Sequence, residues 1–243
     1  MEFGITFYVL IFITAVLYSS VGHGGASGYL AIMAFYSVTP ENMRASALIL
    51  NLFVAGIAFY SYFRGGFFRP KLLFPFIILS VPLSFLGARL EINPSIYKII
   101  LGIFLLIAIG RMLVAAKKPE NIKQLNVPVA LAVGAVLGFF SGLIGIGGGI
   151  ILSPVLLLFR WATIRETAAV SAAFILLNSL SGIIGLVTNG KLVPVNEIYL
   201  LVAIGVAGSL IGSNVGREKF STVKLTYLLA TVLLFASLKL FYF

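Results

Sequence analysis

Apolar residues run through this chain in long blocks, separated by short breaks of glycine, proline and charge. Read against those breaks, residues 3–21 form a full helix ending in Val21-Gly22-His23-Gly24-Gly25-Ala26-Ser27-Gly28. A short apolar run, 28–38, stops at Thr39-Pro40-Glu41, and helices follow at about 43–63, 72–90 and 95–116. The stretch 117–127, opening Lys117-Lys118-Pro119-Glu120-Asn121, is the most polar in the chain and reads as a linker. Beyond it, 128–144 ends in Gly145-Ile146-Gly147-Gly148-Gly149, and a short run, 150–159, stops at Arg160-Trp161. Helices at about 167–188, 198–215 and 221–242 complete the pattern. A bilayer core about 30 Å thick takes roughly 20 apolar residues per crossing helix. The blocks therefore predict an all-α polytopic membrane protein.

The two halves repeat. Val21-Gly22-His23-Gly24-Gly25-Ala26 lies over Ile144-Gly145-Ile146-Gly147-Gly148-Gly149, and each glycine turn is followed by a short run, a polar break and a helix with one asparagine, Asn51 or Asn178. Gly66-Phe67-Phe68-Arg69-Pro70 lies over Gly190-Lys191-Leu192-Val193-Pro194, and Ser84-Phe85-Leu86-Gly87 over Ser209-Leu210-Ile211-Gly212. Such matching order predicts an internal duplication: a first transmembrane repeat over 1–116, the polar linker over 117–127 and a second repeat over 128–243. Each repeat is expected to hold four long transmembrane helices and one short half-helix after a glycine-rich bend.

Composition supports insertion in a membrane. Of 243 residues, 60% are hydrophobic and 10% charged, against roughly 45–50% and about 25% in soluble domains. The net charge of +10 does not point to nucleic acid, because the basic residues are scattered through loops between apolar blocks. Loop Lys and Arg fit the positive-inside bias better. If each short run returns to the side from which its preceding helix started, one face of the membrane collects +1 and the other +9. If each run instead completes a crossing, the split is +6 to +4. The first arrangement places both termini outside the cytoplasm and, with an odd number of segments per half, makes the repeats inverted. The opening Met-Glu-Phe-Gly lacks a basic signal-peptide region and reads as the start of a retained helix.

The glycine turns carry the candidate chemistry. A run of 10–12 residues rises about 15–18 Å as a helix, roughly half the hydrocarbon thickness. It is expected to be a half-helix returning from a bend deep in the membrane, where irregular backbone needs protein or water to satisfy it. The unpaired N–H groups and positive dipole end of such a helix favour an anion. Two bends in inverted repeats would meet near the midplane, as in secondary transporters. The expected anion site comprises Gly22, His23, Gly24, Gly25, Ala26 and Ser27 in one bend and Gly145, Ile146, Gly147, Gly148 and Gly149 in the other. Gly134, Gly138 and Gly142, and likewise Gly208, Gly212 and Gly216, are spaced by four and read as helix-packing seams.

Other polar residues leave two readings open. His23, the single histidine, either contributes charge or a proton or bonds locally. Asn51 and Asn178 either contact the ligand or bond between helices; Ser46 and Ser171 are weaker candidates of the same kind. Arg44, Arg89 and Arg165 near helix ends read as interfacial, with an anion-attracting mouth as the alternative. With one His, no Asp, no Cys and every Glu near a loop, the residues of a membrane-embedded catalyst or metal centre are missing, so neither an enzyme nor a cofactor is expected.

The motifs Gly22-His23-Gly24-Gly25 and Gly142-Leu143-Ile144-Gly145-Ile146-Gly147-Gly148-Gly149, with the duplicated layout, resemble the sulfite exporter TauE/SafE family of membrane permeases. The similarity runs over essentially the whole chain. Ala26-Ser27 departs from a fully glycine-rich first bend, and His23 breaks the symmetry with Ile146. The resemblance implies export of sulfite or small organosulfonates across the bacterial inner membrane. The resulting expectation is a sulfur-oxyanion transporter, with an anion channel or an uptake permease for another small anion as alternatives. Its partners would be the anion, membrane lipid and, if transport is coupled, protons; homo-oligomerisation is left open.

Overall fold

The structure is a computed structural model that describes residues 3–113, 122–218, 234 and 237–240. Those residues form α1 (Ile5–Ser19), α2 (Ala26–Phe35), α3 (Pro40–Arg64), α4 (Pro70–Arg89), α5 (Pro94–Leu113), α6 (Val127–Ile144), α7 (Gly149–Leu158), α8 (Ile164–Thr188) and α9 (Ile198–Glu218). Five of them, α3, α4, α6, α8 and α9, are long and apolar enough to cross a membrane. The chain is thus a multi-pass membrane protein. Much of the linker, most of the helix expected at 221–242, and the surroundings of Gly216 lie outside the described residues.

Helix boundaries follow local chemistry. Proline occupies the first turn of α3, α4 and α6, where its missing N–H costs nothing. Asn126 caps α6 by accepting from Val129 N at 3.2 Å. Thr163 and Glu166 close a reciprocal capping box on α8. The two short helices stop in the same way: Val38 N donates to Met33 O at 3.0 Å and Trp161 N to Leu156 O at 2.9 Å. The residue before each donor, Ser37 or Arg160, has positive φ, as in a Schellman end.

Packing is set by close backbone approach. Gly134, Gly138 and Gly142 of α6 lie on the backbone of Phe76, Ser80 and Ser84 of α4, with no room for a Cβ. Gly208 of α9 likewise lies against Ala15 Cβ and Phe12 O of α1, and Gly212 on the backbone of Val16. In lipid, where apolar burial between helices gains little, such approach supplies the dispersion contacts that hold helices together. The expected seams are therefore present at these five glycines.

The short helices return. Thr6, at the start of α1, and Tyr36, just past α2, are joined through their hydroxyls at 2.7 Å. Lys123 N, ahead of α6, donates to Arg160 O, just past α7, at 2.8 Å. Other terminal contacts sort into two groups. Lys191 pairs with Glu91, and Lys239 Nζ donates to Phe35 O at 2.7 Å and Ser37 Oγ at 2.9 Å. Elsewhere, Arg69 pairs with Glu166, and the Arg165 guanidinium lies 5.0 Å above the Phe67 ring. Each contact joins groups that the short-return reading assigns to one face of the membrane.

Candidate functional site

The bends that interrupt α1–α2 and α6–α7 are built from backbone that L side chains rarely adopt. Gly25 and Gly148, the N-cap residues of α2 and α7, have φ of 92° and 71° and supply no side-chain cap. The first-turn N–H groups of both half-helices therefore have no acceptor from their own N-cap side chain. The carbonyl ends that lead into the bends are served by tyrosines: Tyr62 Oη donates to Ser20 O at 2.8 Å, and Tyr97 Oη to Ile144 O at 3.0 Å.

The bends meet. A Cβ on Gly24 would strike the Asn51 Oδ1, and one on Gly147 would lie 2.6 Å from Asn51 Nδ2; each would also stand 3.0 Å from Ile175 Cγ2. Asn51 and Ile175 are the twelfth residues of α3 and α8, two 25-residue helices. The junction therefore lies half-way along both, and residues 22–34 and 141–150 are buried throughout. Asn51 is fully buried, and neither its Oδ1 nor its Nδ2 has a partner among the described residues. Leaving such atoms unmet costs about 1–3 kcal/mol each.

Other groups converge on the first bend. Tyr29 is fully buried, its hydroxyl has no partner among the described residues, and it would lie 2.8 Å from a Cβ on Gly25. Ser27 is engaged by the Tyr18 hydroxyl at 2.7 Å. His23 Nδ1 lies 3.0 Å from Val21 O, which can only accept, so Nδ1 carries a proton. In the neutral ring Nε2 then accepts from Ser153 Oγ of α7 at 3.0 Å, and Ser153 also bonds Ser171 of α8 at 2.8 Å. His23 thus ties the first bend to the second half of the chain.

Not every expected residue comes to the junction. Asn178 turns away: its Nδ2 donates to Phe174 O at 2.8 Å and to Ser80 Oγ of α4 at 3.1 Å. Counting from the helix starts, Ile175 is the counterpart of Asn51, and Asn178 falls three residues later, about 4.5 Å further along the helix axis. Ser46 accepts from Val195 N at 2.9 Å. Gly22 and Gly145 flank the junction, packed on the backbones of Ala168 and Arg44; Gly149 packs on Ile175, and Gly148 on Phe174. Ala26 opens α2 and Ile146 is buried within the second bend.

Arg44 also works as a staple. Its Nε donates to Gly142 O at 2.9 Å, Nη2 to Gly87 O at 2.9 Å and Nη1 to Leu90 O at 3.2 Å, joining the C-terminal ends of α4 and α6. The Arg44 guanidinium is thus directed at carbonyls of α4 and α6. Sequence reasoning missed Tyr29, Ser153 and Ile175. Ser153 alone carried a signal, a hydroxyl inside an otherwise apolar ten-residue helix.

Apolar helices of spanning length, with two buried bends, define a polytopic membrane protein. The chain belongs to the sulfite exporter TauE/SafE family, whose model matches residues 7–240. It is 34% identical to the "Probable membrane transporter protein y4hK" of Sinorhizobium fredii, over 96% of both chains. It is 26% identical to the "Probable membrane transporter protein YunE" of Bacillus subtilis, again over 96% of both. Identity to the "Probable membrane transporter protein MJ0441" of Methanocaldococcus jannaschii is 28%, over 91% of this chain and 89% of that one. No solved structure matches the chain.

Proposed function

We propose that this transporter exports sulfite or a small organosulfonate through an anion site at the junction of the two bends. The observation that carries the reading is the Asn51 carboxamide, buried without partners between Gly24 and Gly147 where two half-helices begin. Helix N-termini favour anions, and glycine lets an oxyanion approach the backbone. An outward direction is favoured energetically, since an anion leaving a negative interior gains about 2.3 kcal/mol per charge per 100 mV.

The repeats are read as inverted. Support comes from the way α4 packs on α6 and α8 while α9 packs on α1 and α3, the pairing expected when the halves exchange places. It also comes from the return of α2 beside Thr6 and of α7 beside Lys123, which leaves an odd number of segments in each half.

The test is efflux from proteoliposomes loaded with sulfite, methanesulfonate or sulfoacetate. Saturable efflux that is lost in Asn51→Leu and in Gly148→Leu is expected. Efflux of none of these anions, or efflux unchanged by both substitutions, removes the reading.

A further inference from the structure

The junction presents more than a generic attraction for negative charge. Asn51 offers one acceptor, Oδ1, and one donor group, Nδ2, and both are unmet among the described residues. Exchanging the oxygen and nitrogen of the amide leaves the same pair on offer. Tyr29 adds a hydroxyl, also unmet, beside Gly25. A fully deprotonated oxyanion accepts hydrogen bonds and donates none, so it would leave the Asn51 oxygen buried and facing negative charge. That arrangement is costly where the dielectric is low.

Resting on the reading of the junction as a sulfur-oxyanion site, we infer that it takes the ion as a monoanion retaining one hydroxyl: hydrogensulfite in its O–H form, in preference to the sulfite dianion. The O–H of the ion donates to the Asn51 carboxamide oxygen. Its other oxygens accept from Asn51 Nδ2, from the Tyr29 hydroxyl and from the half-helix N–H groups. With donors and acceptors both satisfied, discrimination follows from the penalty a competing ion incurs by leaving one of them bare. The bound ion carries its own proton, so each outward passage moves one negative charge and one proton without a relay in the protein.

Titratable groups around the junction are His23 in the first bend, Tyr18 on α1 and Tyr29 on α2. Ser153 of α7 bonds His23, and Ser171 of α8 bonds Ser153 in turn. On α3, Arg44 stands two turns from Asn51 and is bound to carbonyls of α4 and α6. Any pH effect arising in the protein itself would enter through His23, and the experiment must separate it from titration of the ligand.

The experiment is calorimetric binding of sulfite, methanesulfonate and sulfate to the purified full-length protein, across pH values bracketing the pKa of hydrogensulfite. Methanesulfonate is a monoanion throughout and has no O–H; sulfate is a dianion throughout. Apparent sulfite affinity is expected to fall about tenfold per pH unit above that pKa, while weaker methanesulfonate binding stays flat and sulfate binds about tenfold or more below sulfite. In Asn51→Leu, sulfite affinity should drop to that of methanesulfonate. Sulfite affinity that is flat or rises with pH overturns the inference and leaves the sulfite site standing. The same fall for methanesulfonate also overturns it, because the proton then belongs to His23. Absence of binding by all three ions at every pH removes the proposed site and the inference together.

Discussion

Asn51 and Ile175 stand at the same position of two equally long helices, and both lie against Gly24 and Gly147. One side of the junction is an unpartnered carboxamide, and the other is a hydrocarbon. An isosteric Asn51→Leu change removes two unmet polar atoms and should raise stability by about 2–6 kcal/mol, although it abolishes efflux. Thermal unfolding in detergent, run beside the flux assay, checks this. A variant that unfolds more easily than the parent contradicts it.

Two glycines of similar φ should respond differently to alanine. Gly66 has φ of +76° and open space where a Cβ would stand, so Gly66→Ala should cost only left-handed strain, about 1–2 kcal/mol. Gly147 has φ of +75° and would place its Cβ 2.6 Å from Asn51 Nδ2. Overpacking adds about 1–3 kcal/mol, and Gly147→Ala should also lower the affinity for sulfite. Denaturation midpoints and binding isotherms of the pair provide the comparison.

Arg44→Met should lower stability by at least the worth of one hydrogen bond to a charged donor, about 1.5–3 kcal/mol. Arg44→Lys should recover only part, because an ammonium cannot reproduce a planar fork across three carbonyls. Protein that still folds should keep its substrate KM, since the guanidinium is directed at Gly142, Gly87 and Leu90. A raised KM with unchanged stability would assign Arg44 to anion attraction instead.

Topology is open to labelling, because the chain has no cysteine. Lys191→Cys should react with a membrane-impermeant maleimide on intact cells, and Lys123→Cys only after permeabilisation. Reaction of both, or the reverse order, would contradict the proposed inversion and sidedness.

The Glu91 carboxyl is held below its ordinary value by the hydrogen bond and charge of Lys191. A depressed folded-state pKa stabilises above the unfolded value, and that contribution is lost as pH falls through the folded one. The pair is exposed, so the effect should be small and should shrink with salt. Titration of a labelled Glu91 should move up towards the usual carboxylate range in Lys191→Gln.

Much of this architecture was legible along the chain because lipid leaves few options. Backbone groups without water must close on themselves in helices, so the apolar blocks marked the helices to within a few residues at most ends. Gly134, Gly138, Gly142, Gly208 and Gly212 read as packing seams because spacing by four puts them on one helix face. Asn51 and Asn178 looked equivalent along the chain, but their three-residue offset shifts Asn178 about 4.5 Å along its helix, where it makes the interhelical hydrogen bond to Ser80 that the sequence had left as one of two readings.

Span length, glycine spacing and the two bends were thus properties of the sequence alone, being one-dimensional consequences of hydrophobicity and of φ preference. Only tertiary structure decided that both bends close on one Asn51, that Tyr29 and Ser153 enter the same region, and that Arg44 binds carbonyls. Those outcomes depend on how separate helices rotate against one another. Close backbone contacts at Gly138 and Gly212 help to set that rotation; spacing by four marks the packing face, but not that its partners are Ser80 of α4 and Val16 of α1.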